Sequence, residues 1–284
     1  PSHGQEDIWE ATEPLVQSAI DGYNVTIFAY GQTGSGKTFT ILGEPGFEGI
    51  ISRSIRKLFD ARKSIGELNR FEGNIEIAVE LLEVYNEKVR DLLVSTNTHG
   101  QESLKIKANE AIGSTIVQVN SQEEVEKILK TAQSRRCVKA TSSNAVSSRS
   151  HMLFTLYFKV HSKDGSCRVG KLNICDLAGS ERLGKSHAND NVGGQLLQET
   201  KHINTSLSVL SNVIEKLQAG EVNVPYRESK LTLLLQNSLG GNSKTLAIVC
   251  CNPMQSHFHE SLCSLRFAAK VNKVDLKAVA NFTA

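Results

Sequence analysis

No apolar run in the 284 residues approaches the ~20 needed to span a bilayer, so no membrane-spanning helix is expected. The start, Pro1-Ser2-His3-Gly4-Gln5-Glu6-Asp7, has neither the basic residues nor the apolar stretch of a signal peptide. It also lacks an initiator Met, which predicts a fragment or a processed chain. No Pro-rich or Ser/Gly-rich tract, block of like charge or repeat interrupts the chain, and residues 1–284 are therefore expected to form one domain. The 6 cysteines show no C-x-x-C and no framework spacing, which excludes a disulfide scaffold. Cys175, Cys250 and Cys251 stand inside apolar runs, as buried thiols of a reducing compartment do. His257 and His259 lack a third ligand for a metal. A net charge of +2 is too small for a global field, so any acidic partner must be met by a local patch.

What is present alternates. Val25-Thr26-Ile27-Phe28-Ala29-Tyr30 is a short apolar β-rich run leading into glycines. Further strand candidates are Ile75 to Tyr85, Met152 to Val160, Leu172 to Cys175 and Leu246 to Cys251. Helical patterns lie between them, at Glu123 to Arg136 and Ile203 to Leu217. In the second, Ile203, Leu207, Leu210, Ile214 and Leu217 form one stripe. Strands alternating with helices predict an α/β fold, with a mostly parallel sheet covered on both faces.

Gly31-Gln32-Thr33-Gly34-Ser35-Gly36-Lys37-Thr38 fits G-x-x-x-x-G-K-[ST] between a strand and a helix, the context this phosphate-binding loop demands. Glycines let successive backbone N–H groups face phosphate oxygens. Lys37 would reach the β- and γ-phosphates and the Thr38 hydroxyl would hold Mg²⁺. Two other matches suggest a GTPase: Asp176-Leu177-Ala178-Gly179 fits D-x-x-G, and Asn272-Lys273-Val274-Asp275 fits the guanine-reading N-K-x-D. The latter belongs after a buried strand, but Leu262, Leu265, Phe267, Ala268, Ala269 and Val271 before it suit a helix. A chance N-K-x-D arises in roughly one chain in thirty at average residue frequencies. ATP is the expected nucleotide.

Asn144-Ala145-Val146-Ser147-Ser148-Arg149-Ser150-His151 and Asp176-Leu177-Ala178-Gly179-Ser180-Glu181 match, letter for letter, the two switch motifs of kinesins. Asp21-Gly22-Tyr23-Asn24, Glu83-Val84-Tyr85-Asn86-Glu87, Pro225-Tyr226-Arg227 and Ser238-Leu239-Gly240-Gly241-Asn242 agree, so the chain resembles the kinesin motor domain from about Gln5 to about Asn272. The resemblance implies a P-loop NTPase with a central mixed, largely parallel sheet and helices on both faces, its first strand or strands missing. It implies a microtubule-stimulated motor ATPase using ATP and Mg²⁺, cytoplasmic and on the microtubule cytoskeleton. No nucleic-acid or membrane partner is expected, and dimerisation would pass through a coiled coil outside this chain. In chemical terms, Gly179 can bring its N–H against a terminal phosphate because no Cβ intervenes. Asp176 would hold Mg²⁺, with Thr38 and Ser148. Ser147 and Ser148 would face the γ-phosphate and the attacking water. By resemblance, Arg149 and Glu181 would pair to close the site over ATP. Asn144 and His151 are expected to position the loop.

On the track side, the resemblance implies that the helix near Ile203 to Leu217 and the Pro225-Tyr226-Arg227 segment form the main microtubule surface. Arg227, Lys230, Lys201 and His202 would meet acidic groups on tubulin, with Lys105 and Lys107 as further candidates. Three departures stand out. The opening strand with its adenine contact is missing, the loop Gly184 to Gly194 is longer than usual, and the track helix reads Asn204-Thr205-Ser206-Leu207 where the family has a Lys. Residues 264–272 are most similar to the minus-end-directed kinesins with a C-terminal motor. The alternatives are a microtubule-binding module with impaired turnover, suggested by the missing strand, and a GTPase-type switch.

Overall fold

The computed structural model describes residues 4–67, 75–94, 103–137, 148–162, 165–181 and 194–283, with backbone alone at 66–67, 137, 194–204 and 283. The first stretch folds as α1 (Gln5–Ile20), β1 (Asn24–Tyr30), α2 (Lys37–Leu42), the small hairpin β2 (Gly43–Glu44) and β3 (Phe47–Glu48), and α3 (Ile50–Glu67). There follow β4 (Ile75–Tyr85), β5 (Lys88–Asp91), the hairpin β6 (Lys105–Lys107) and β7 (Glu110–Ile112), β8 (Val117–Gln118) and α4 (Gln122–Cys137). The rest is β9 (His151–His161), β10 (Cys167–Asp176), α5 (Gly194–Gln218), α6 (Lys230–Leu234), α7 (Gln236–Gly240), β11 (Lys244–Val249), α8 (Phe258–Val271) and β12 (Phe282–Thr283).

The main sheet runs β11-β1-β10-β9-β4-β5. β1 pairs parallel with both β10 and β11, whereas β9 runs against β10, β4 against β9 and β5 against β4. Hence β11, β1, β10 and β4 point the same way, and the sheet is mixed, as expected. The reversals follow from connection length. The tight turn between β4 and β5 sets Asn86 and Glu87 at φ 51° and 54°, the two left-handed residues that match the twist of a hairpin. Parallel neighbours such as β1 and β10 need long crossovers instead.

The strands are apolar on both faces with a period of two. Val25, Ile27 and Ala29 of β1 join one core with α1, α2, α3 and α4. Phe28 and Tyr30 turn to a second core with α5, α6, α7 and α8. The stripe Leu207, Leu210 and Ile214 is buried there, as its helical spacing predicts. Tyr30 stacks on Phe267 of α8, ring centroids 3.9 Å apart. Truncating a fully buried ring such as Phe28 would cost about 3–5 kcal/mol.

β11 lies at one edge of the main sheet, and every one of its residues is only half-buried. At the other end of the chain, Asn281 ties the segment after α8 to the start of the sheet. Its N–H donates to the Gly22 carbonyl (2.8 Å) and its carbonyl accepts from Val169 (3.2 Å). That short strand, β12, carries no period-two pattern long enough to announce it in sequence.

Candidate active site

The parallel strands β1 and β10 end in register, with Ala29 beside Asp176, so their carboxyl ends deliver the P-loop and the second switch to one crevice. Between β1 and α2 the backbone curls through left-handed residues, φ 76° at Gly34 and 99° at Gly36, where a Cβ would be strained. Lys37 is buried and its ammonium donates to the Gln32 carbonyl (2.8 Å), which also accepts from the Ser35 hydroxyl (2.7 Å). Burial lowers the Lys37 pKa, while the Asp176 and Glu181 charges work to keep it protonated.

Asp176 is fully buried at the end of β10. Its Oδ2 accepts from the Thr38 hydroxyl (2.9 Å), while its Oδ1 has no hydrogen-bond partner. Burial raises its pKa, opposed first by the Arg136 guanidinium and then by the Thr38 bond and Lys37. An orphaned carboxylate oxygen at this depth is costly. Beside a hydroxyl, it supplies the hard oxygen ligands that suit a divalent cation.

The two switches meet here. The Gly179 N–H donates to the Ser148 carbonyl (3.0 Å), and the Ser180 N–H to the Gly31 carbonyl (3.1 Å). A Cβ on Gly179 would run into the Glu181 carboxylate and the Thr33 hydroxyl. Glu181 does not form the expected pair with Arg149. Its Oε2 accepts from the Thr33 N–H (2.8 Å) and its Oε1 from the Thr33 hydroxyl. Two donors on one residue hold the Glu181 carboxylate in place. Ser148 and Arg149 are half-buried beside this contact, and Ser147 and Asn144 lie outside the described residues.

Arg136 and Glu83, assigned no site role from sequence, also belong to this crevice. The buried Arg136 guanidinium donates from Nε to the Ser150 hydroxyl (3.0 Å) and from Nη2 to its carbonyl (2.8 Å). It stands 3.6 Å from Asp176 Oδ2 and 3.7 Å from Glu83 Oε1. Arg136 thus joins the end of the first switch to the start of the second. A signal existed: Val125, Leu129 and Ala132 are the buried stripe of α4, and Arg136 falls one turn further along it. No pattern marks Glu83 as its partner. His151, expected only to position the loop, is also deeply buried. Its pKa is pushed down to about 3 by burial and by the charges of Arg136 and Lys37.

On the expected track side, Arg227 is exposed in the turn Tyr226–Glu228 and Lys230 opens α6 half-buried. Glu87 orients this segment, accepting from the Ser229 hydroxyl (2.9 Å) and the Lys230 N–H (2.7 Å). Lys105 and Lys107 are exposed on β6. Lys201 and His202 fall on α5, their side chains outside the described residues, as are residues 182–193 of the long loop. Asn272 caps the C-terminus of α8, so N-K-x-D follows a helix and not a strand.

The family model of the kinesin motor domain matches residues 1–274. Kinesin-like protein KIN-14M of Arabidopsis thaliana is 46% identical over 295 residues, covering 97% of this chain and 38% of its own. Kinesin-like protein KIFC1 of Cricetulus griseus is 45% identical over 285 residues, 96% of this chain and 45% of its own. The chain therefore spans about two fifths of the length of these curated relatives. Among solved structures, the KIF14[391-772] dimer with AMP-PNP in complex with a microtubule superposes with a TM-score of 0.88. It is 35% identical and covers 98% of this chain and 80% of that one. The C-terminal motor and motor homology domain of Kar3Vik1, fused to a synthetic coiled coil, gives 0.81 at 42% identity, over 95% of this chain and 69% of that one.

Proposed function

The chain belongs to the kinesin motor family, and from that premise we propose that it is a microtubule motor ATPase whose grip on the polymer follows the state of its nucleotide. The observation that carries the proposal is the convergence of three segments in one crevice. Thr33 of the P-loop holds Glu181, and Gly179 of the second switch holds Ser148 of the first. A neighbour solved with AMP-PNP on a microtubule supports both the nucleotide and the track.

In this mechanism Lys37 and the backbone N–H groups of residues 31–38 bind the phosphates of ATP. The Gly179 N–H, now on the Ser148 carbonyl, is the donor that turns to the terminal phosphate. Ser147 and Ser148 orient the attacking water, while Glu181 leaves Thr33 to reach Arg149 and close the site. Asp176, Thr38 and Ser148 would hold Mg²⁺, and the unpartnered Asp176 Oδ1 fits that role. When bound, the ion neutralises phosphate charge as it develops. Losing the terminal phosphate returns Gly179 to Ser148, and α5 and the Arg227 turn respond. Lys201, His202, Arg227 and Lys230 supply the local cationic patch for acidic tubulin. We place the chain on microtubules, and no helix among its described residues is long and apolar enough to cross a membrane.

Phosphate release from ATP and from GTP, with and without microtubules, tests the proposal, together with co-sedimentation in ADP, in AMP-PNP and without nucleotide. We expect ATP turnover to rise with polymer and affinity to differ between nucleotide states. Affinity identical in all three states would end it.

A further inference from the structure

Three elements of the nucleotide machinery meet on a single imidazole. His151 opens β9 directly after Ser148, Arg149 and Ser150, and its side chain is fully enclosed. Its Nδ1 accepts the N–H of Ala178 (3.0 Å), the residue just before Gly179 in the second switch. A neutral imidazole carries one donor and one acceptor. Accepting at Nδ1 therefore places the ring proton on Nε2, which donates to the Ser206 hydroxyl (2.9 Å) on α5. Ser206 is only 2% exposed, so its hydroxyl faces the ring and is not available to a polymer outside.

Among the described residues, apolar packing also joins the second switch to α5. Leu177 packs in the same core as Leu207, Leu210 and Ile214. Such packing holds the helix to the sheet but has no direction, and it tolerates rotation of a peptide group. A hydrogen bond does not. If the Leu177–Ala178 peptide that carries this N–H shifts along with Gly179, His151 Nδ1 becomes a buried acceptor without a partner, unless the ring moves with it. Moving the ring breaks or drags the bond to Ser206.

We infer that His151 is the positioning residue that couples the second switch to α5, transmitting the position of the Ala178 backbone beside Gly179 through Ser206. The inference rests on the motor proposal above and adds the identity of the link. His151 touches no substrate; it acts through Ala178 on one side and Ser206 on the other.

Two variants cut the link from opposite ends. His151→Asn keeps an acceptor where Nδ1 stands but cannot reach Ser206. Ser206→Ala removes one oxygen and leaves the ring intact, so it tests the link even where the His151 variant fails to fold. In the full chain, ATP turnover is measured alone and across microtubule concentrations, and polymer affinity is measured in ADP and in AMP-PNP. Each variant should keep basal turnover within about twofold and lose about tenfold in microtubule stimulation, the size of a typical coupling between sites. The ratio of AMP-PNP to ADP affinities should fall toward one, a readout that lost packing alone would not move. The double variant should be no worse than either single, because both remove the same bond. Stimulation at the wild-type level in Ser206→Ala, or losses that multiply in the double variant, overturns the inference while the motor proposal stands. A wild-type chain indifferent to microtubules overturns both.

Discussion

The Thr33 N–H and hydroxyl both donate to the carboxylate of Glu181, so the nucleotide loop itself holds the second switch. The same contact explains why residue 179 is glycine: a Cβ would occupy the space where these two side chains meet. In the proposed mechanism Glu181 exchanges this partner for another.

Glu181→Ala should bind ATP with affinity changed by less than about threefold and lower turnover by about a hundredfold, as loss of the group that closes the site over ATP does. Nucleotide titration and single-turnover hydrolysis measure the two separately. Normal turnover would remove Glu181 from the mechanism.

Lys37→Ala should weaken ATP affinity at least about thirtyfold, since it deletes a charged phosphate contact worth roughly 2 kcal/mol. The fold should survive, because the ammonium's own partner is one carbonyl, that of Gln32. Calorimetric titration beside a circular dichroism melt checks both halves.

Arg136→Ala should cost about 3 kcal/mol of stability, because Asp176 loses its nearest cation while Glu83 keeps Arg90 at 3.5 Å. Urea unfolding measures the loss. Combining it with Glu83→Gln should recover part of the loss; a strictly additive double variant would mean the two groups do not interact.

Arg227→Ala should reduce microtubule affinity about five- to tenfold at low salt, and by less as salt rises, with basal ATP turnover preserved. An unchanged affinity in co-sedimentation would show that the exposed turn is not on the track-facing side.

Acid should unfold the chain partly through His151. Its ring has a pKa near 6.5 when unfolded and about 3 in the fold. Between these values the unfolded chain binds a proton that the native state does not, so this stability is present above 6.5 and is lost as pH falls. The loss is about 1.4 kcal/mol per pH unit, or roughly 2 kcal/mol by pH 5. Urea titrations at pH 7 and pH 5 should show a shallower pH dependence in His151→Asn. An identical dependence would place the acid sensitivity elsewhere.

The elements most legible in sequence were those with a strong local period. Ile75–Tyr85 was bounded to the residue, and Leu207, Leu210 and Ile214 were placed on the buried face of their helix. The P-loop spacing located Lys37 and Thr38, and the switch motifs located Asp176, Gly179 and Glu181, all now in one crevice. Less legible was β12, which is too short to show a pattern, whereas α3 went unnamed although Ile51, Ile55 and Leu58 recur at helical spacing and are buried. The direction of β9 also came from the hairpin that turns the chain back into β10, a property of loop length and not of strand composition.

By itself the chain's order of residues determined its family, its nucleotide loop and the types of group available at the site, because those depend on spacings a few residues long. Only the tertiary structure decided who touches whom: Glu181 with Thr33, Arg136 with Asp176 and Glu83, His151 with Ala178 and Ser206. These partners lie tens of residues apart, and each charge had several opposite charges it could have met. Strand register, burial and the cost of leaving enclosed polar groups without partners selected one set among them.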